Sequence, residues 1–97
     1  MAMSIHNLMS QWAKETYSSR NTHEQREIFS ECLRQLRDLY QYYVYYQGIE
    51  SPEKLPEVLS PSWKREIGFN MSVEGRAAYE RCIEQLDDIA PVEEINA

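Results

Sequence analysis

From Thr22 to Gln47 the chain contains neither glycine nor proline, and its apolar residues recur every three or four positions. At about 100° per residue, Ile28, Phe29, Cys32, Leu33, Leu36, Leu39, Tyr40 and Tyr43 fall on one stripe. That run predicts a single helix of about seven turns at 3.6 residues each. Thr22 followed by Gln25 has the capping-box spacing, in which each side chain satisfies a backbone amide at the other's position. Gly48 is the expected left-handed stop. A rod with one apolar face must be covered by other elements, so the fold depends on what the rest of the chain supplies.

It supplies more helices. Ser4 can cap a first helix, along which Ile5, Leu8, Met9, Trp12, Ala13 and Thr16 keep the helical period. Ser18-Ser19-Arg20-Asn21 has no period and reads as a loop. A last helix is expected from Ser72, with Ala78, Tyr79, Cys82, Ile83, Leu86, Ile89 and Ala90 as its stripe. Pro91 limits it, and 92–97 read as a frayed tail. Gly75, early in that helix, costs up to about 1 kcal/mol relative to alanine and marks close backbone packing.

Residues 49–71 are the irregular part. Ser51-Pro52 and Ser60-Pro61 each have the form of an N-cap followed by proline at the first helical position. The first is cut short by Pro56, and the second reads as a two-turn helix over 60–68 closed by Gly68. Leu55, Val58, Leu59, Trp63, Ile67, Phe69 and Met71 are too apolar for a free linker, so the segment should fold across the helices as a lid. No strand alternation or internal repeat occurs. The expected fold is a single all-α domain over 1–97, a compact bundle of three main helices plus one short helix in the 49–71 connection.

The aromatic content of the long helix is harder to place. Tyr40, Tyr42, Tyr43, Tyr45 and Tyr46 are crowded into its last turns. Tyr40 and Tyr43 continue the apolar stripe, Tyr42 and Tyr46 lie off one flank, and Tyr45 points almost directly away. Tyrosine suits interfaces because it buries a large ring while its hydroxyl keeps a hydrogen-bond partner. Tyr42, Tyr45 and Tyr46 are therefore the expected partner anchors. The plain alternative is that Tyr42 and Tyr46 pack beneath the 49–71 segment, an account that fits Tyr45 least.

A net charge of -6 argues against direct binding to nucleic acid or an anionic membrane, both of which need a basic field. Glu84, Asp87 and Asp88, followed by Glu93 and Glu94 with no basic residue after Arg81, read as a negative patch suited to a basic partner surface. The bland reading is a solvated helix face. Glu24, Arg26, Glu27, Glu31, Arg34, Arg37 and Asp38 mix both signs at spacings that allow weak pairing, as on an ordinary solvent face.

No catalytic or metal constellation is recognisable. The glycines form no phosphate-cradling loop, and His6, His23, Cys32 and Cys82 lack the paired spacing of a zinc site. Neither a cofactor nor catalysis is expected. The two cysteines read as buried thiols, with a bridge open to them if their helices pack together. The start of the chain lacks the basic segment and apolar core of a signal peptide, no run approaches about 18 apolar residues, and the expected location is the cytoplasm. The functional expectation is a non-enzymatic protein–protein interaction module. It would dock on a larger protein and inhibit or modulate it, as a phage or mobile-element inhibitor of host machinery would. The alternative is a structural subunit or homodimer packing through its tyrosine-rich helix end.

Overall fold

The computed structural model describes residues 3–47, 54–68 and 71–89. Four α-helices account for most of them: α1 (Ile5–Tyr17), α2 (His23–Tyr42), α3 (Lys54–Glu66) and α4 (Val73–Asp87), with a π-helical segment, Tyr43–Gln47, continuing α2. No strand occurs among the described residues. Gly48, the Ser51-Pro52 step, Phe69, Ala90, Pro91 and the 92–97 tail lie outside them.

Three of the helices start where their capping residues place them. Ser4 Oγ accepts the Asn7 amide at 3.2 Å, and Ser72 Oγ accepts that of Gly75 at 3.0 Å. At Thr22 both halves of the capping box form, with the Thr22 amide donating to Gln25 Oε1 and the Gln25 amide to Thr22 Oγ1. The loop between α1 and α2 is closed by Asn21, whose Nδ2 donates to the Glu15 carbonyl at 2.8 Å.

The connection departs from expectation. Pro56 does not break a helix, because it falls in the first turn of α3, where backbone amides have no intrahelical acceptor to lose. Ser60 and Pro61 do not start a helix either; they lie inside α3. A proline there removes one backbone hydrogen bond and clashes with the preceding turn, at a cost of about 3 kcal/mol. Burial of Leu55, Leu59 and Trp63 along one face offsets it. Each of those side chains, when fully buried, contributes on the order of 1.5–3 kcal/mol. The lid is therefore a helix as long as α1 rather than a two-turn fragment.

Side-chain contacts give the helix directions. His6 stacks edge-on against Tyr40 at 5.6 Å, so the start of α1 lies beside the end of α2 and the two run antiparallel. Gln25 Nε2 donates to the Glu74 carbonyl, while further along Gln35 and Gln85 bond the adjoining rings of Trp63 and Trp12. Helices α2 and α4 thus run in the same direction. Gly75 is buried against the Glu24 side chain of α2, since a Cβ there would stand 1.9 Å from Glu24 Oε1. The Glu24 carboxylate also accepts from the Ser72 hydroxyl at the start of α4. Helix α3 opposes α4, with Ser60 reaching Asp87 and Trp63 lying beside Trp12 at the level of Gln85.

Two tryptophans occupy the centre. Trp12 of α1 and Trp63 of α3 are wholly enclosed, with ring centroids 5.8 Å apart. A buried indole N–H needs an acceptor, and each finds one on a different helix. Trp12 Nε1 donates to Gln85 Oε1 of α4 and Trp63 Nε1 to Gln35 Oε1 of α2, both at 2.8 Å. Four side chains thereby tie all four helices together at one level. Phe29, Leu36, Leu55 and Leu86 fill the core around them.

Candidate interaction surface

The tyrosine run divides as its periodicity predicts. Tyr40 and Tyr43 are half-buried and pack against the core. Tyr42 is 47% exposed, Tyr45 78% and Tyr46 79%. Tyr42 is the middle ring of a small cluster, with Tyr43 at 5.7 Å and Tyr46 at 5.8 Å between centroids. Three of the five rings fall within the π-helical segment, whose wider i→i+5 turn breaks the register of α2. The Tyr43 amide still closes α2 in the ordinary way, donating to the carbonyls of Leu39 and Tyr40.

Beside this cluster lies an open groove of about 370 Å³ between α2 and α3. Leu39, Tyr42, Val58 and Leu59 give it apolar walls, and Arg34, Gln35 and Asp38 form its rim. Val58 was expected in the lid's core face, yet it is 47% exposed. Leu55, Leu59 and Trp63 define the buried face of a continuous α3, and Val58 falls to one side of that face. Treating α3 as one helix is the signal that would have revealed Val58.

The acidic residues stand elsewhere. Glu84, Asp87 and Asp88 are all exposed at the end of α4. Asp88 is its C-cap residue, and Asp87 Oδ1 accepts from the Ser60 hydroxyl at 2.6 Å. Val58 lines the α2 side of α3, whereas Ser60 faces α4. The tyrosines and the acids therefore flank α3 on opposite sides. Because α2 and α4 run in the same direction, both groups lie toward one end of the molecule. Glu93 and Glu94 fall outside the described residues.

On the outer face of α2 the expected Arg34 pairs form, whereas Glu24 turns onto Ser72 at the start of α4 and Arg26 Nε is buried with no hydrogen-bond partner among the described residues. Arg34 bridges Glu31 and, at 3.3 Å, Asp38. Hydrogen bonds from Arg34 and then Gln35 hold the Glu31 carboxyl below its ordinary range. His23 Nε2 meets Glu27 at 2.7 Å on an open surface, their side chains 82% and 67% exposed. His6 is exposed as well, whereas both cysteines are sealed in the core. Among the described residues, no group of three or more His, Cys, Asp or Glu side chains is placed to hold a metal ion. No described helix is long and apolar enough to cross a membrane. Comparison of the chain with protein-family models, curated proteins and solved structures returned no match.

Proposed function

We propose that this protein is a non-enzymatic interaction module that docks on a larger protein through the end of α2 and so inhibits or modulates it. The observation carrying this reading is the display of Tyr42, Tyr45 and Tyr46, large amphipathic rings left substantially in water by the monomer's own packing. A few aromatic anchors commonly supply most of the energy of an interface. The neighbouring groove, with Leu39, Val58 and Leu59, extends the apolar area those rings offer. Glu84, Asp87 and Asp88, toward the same end, would favour a basic partner surface and accelerate encounter with it. That steering weakens with salt, because the screening length is about 8 Å at physiological ionic strength. An inhibitor of phage or mobile-element origin, working in the cytoplasm, is one setting in which such a surface would serve.

The test pairs binding with folding. The variant carrying Tyr42→Ser and Tyr45→Ser should keep the wild type's helicity and melt within a few degrees of it, while losing partners captured from the source cell. A large loss of stability would assign the rings to the fold and remove the docking role. Sedimentation over the micromolar range separates a free docking surface from self-association: a stable dimer that the Tyr42/Tyr45 variant abolishes would favour the homo-oligomer instead.

A further inference from the structure

A cavity apart from the exposed tyrosine run lies in the seam between α1 and α2. It encloses about 340 Å³ and is more closed to solvent than the groove beside Tyr42. Small-molecule sites commonly occupy about 300–1,000 Å³, and the space between helices of a bundle is a usual place for them. Ala13 and Leu33 give this one apolar walls, and Thr16 and Ser30 add hydroxyls. Its charged lining is Arg34 and Arg37, with no carboxylate, in a chain of net charge -6.

The two arginines differ in what they have left to offer. Arg34 donates to Glu31 from Nε and Nη2 and to Asp38 from Nη1, so its charge is matched and its plane is fixed. Arg37, exposed one turn further on, has no hydrogen bond or ion pair among the described residues. The Thr16 hydroxyl proton is committed to the Trp12 carbonyl, whereas the Ser30 hydroxyl bonds to no described residue. Tyr17, at the end of α1, lines the same cavity with its ring 84% exposed.

We propose that this seam binds a small aromatic monocarboxylate. Its carboxylate pairs with the Arg37 guanidinium and accepts the Ser30 hydroxyl, and its ring lies among Leu33, Tyr17 and the immobilised plane of Arg34. The guanidinium fork matches a carboxylate, and both guanidinium planes and tyrosine rings stack on aromatic faces. An anion without a ring leaves the apolar wall and Tyr17 unused. A dianion has only one unmatched cation to meet, and the Glu31 carboxylate beside Arg34 disfavours the second charge. The cavity shares Arg34 alone with the groove beside Tyr42, so the proposal stands apart from the docking role.

The full-length chain is titrated with phenylacetate and followed by the backbone amide signals in two-dimensional NMR. Acetate and phenylacetamide serve as the same molecule without its ring and without its charge. Phenylacetate should shift the amides of Ala13, Tyr17, Ser30, Leu33 and Arg37 along a saturating curve in the millimolar range. Acetate and phenylacetamide should each bind about tenfold more weakly or worse, as should phenylacetate to Arg37→Gln, since one charge-assisted pair is worth about that factor. Tyr17→Ser should weaken phenylacetate and leave acetate as it was. Both side chains are exposed, so circular dichroism should show wild-type helicity in each variant. Arg76→Gln makes the same change of charge on α4, and it should bind phenylacetate as wild type does, as should the Tyr42/Tyr45 double variant. Acetate binding as tightly as phenylacetate, equal losses in the Arg37 and Arg76 variants, loss in the Tyr42/Tyr45 variant, or shifts that stay linear or centre outside the seam would each overturn the proposal.

Discussion

Replacing Gln85 with leucine should destabilise the protein out of proportion to so small a change in shape. Gln85 provides the acceptor for the Trp12 indole N–H, at 2.8 Å. Trp12 is wholly enclosed, so its N–H has no water to turn to once that acceptor is gone. Leaving a buried donor unsatisfied costs about 1–3 kcal/mol. At about 4–8 °C per kcal/mol for a domain of this size, the melting temperature should fall by at least 4 °C. Trp12→Phe removes the donor together with part of the ring, and the half-exposed Gln85 amide can then pair with water. In the double variant the polar penalty disappears, leaving mainly the lost packing. The two changes should therefore be less than additive, with a coupling of about 1–2 kcal/mol. Urea unfolding followed by far-ultraviolet circular dichroism measures all four corners of the cycle without relying on Trp12 fluorescence. Additivity within about 0.5 kcal/mol, or a Gln85→Leu variant as stable as wild type, would refute the role assigned to this bond.

Other consequences are equally open to measurement. Pro61→Ala restores an amide inside α3 and should raise stability by about 1–3 kcal/mol in chemical denaturation, less whatever proline contributes by stiffening the unfolded chain; an unchanged midpoint would contradict an interior proline. Burial foremost, and then the nearby thiols and carboxylates, raise the Tyr79 phenol from 10.0 to about 12. The folded state thus keeps this proton beyond the unfolded value, and the associated stability is whole below pH 10 and lost as pH rises through about 12. Phenolate absorbance should show one late-titrating tyrosine that Tyr79→Phe removes. Gly75→Ala gains up to about 1 kcal/mol of helix propensity but pushes the Glu24 carboxylate off Ser72. It should be near neutral in wild type and stabilising in a Glu24→Ala background, and equal effects in the two backgrounds would exclude the clash.

Local chemistry made much of this fold legible. Ser4, Thr22 and Ser72 act within three residues of themselves, and each caps the helix it precedes. The division of the tyrosines into half-buried Tyr40 and Tyr43 and exposed Tyr42, Tyr45 and Tyr46 agrees with their angular spacing, although the π-helical winding that carries the last of them was not legible. Helix α3 was misread because prolines speak first about the backbone. In the structure tertiary burial of Leu55, Leu59 and Trp63 outweighs the penalty at Pro61, and the first turn tolerates Pro56. The error carried over to Val58, whose exposure is evident only once α3 is one helix. The indole–glutamine bonds span 73 and 28 positions in the chain, so no local pattern could reveal them. For the same reason the placement of the acids and the tyrosines on opposite flanks of α3 was invisible before the helices were assembled.

The change of winding after Tyr42 makes the bearing of the last aromatic rings depend on chain length as much as on side-chain identity. Every residue added within or removed from Tyr43–Gln47 would rotate the later rings of that segment around the axis. Deleting Val44 alone would re-aim Tyr45 and Tyr46 without altering a single phenol. Composition supplies the rings, and the loosened turn acts as the swivel that decides which way they look.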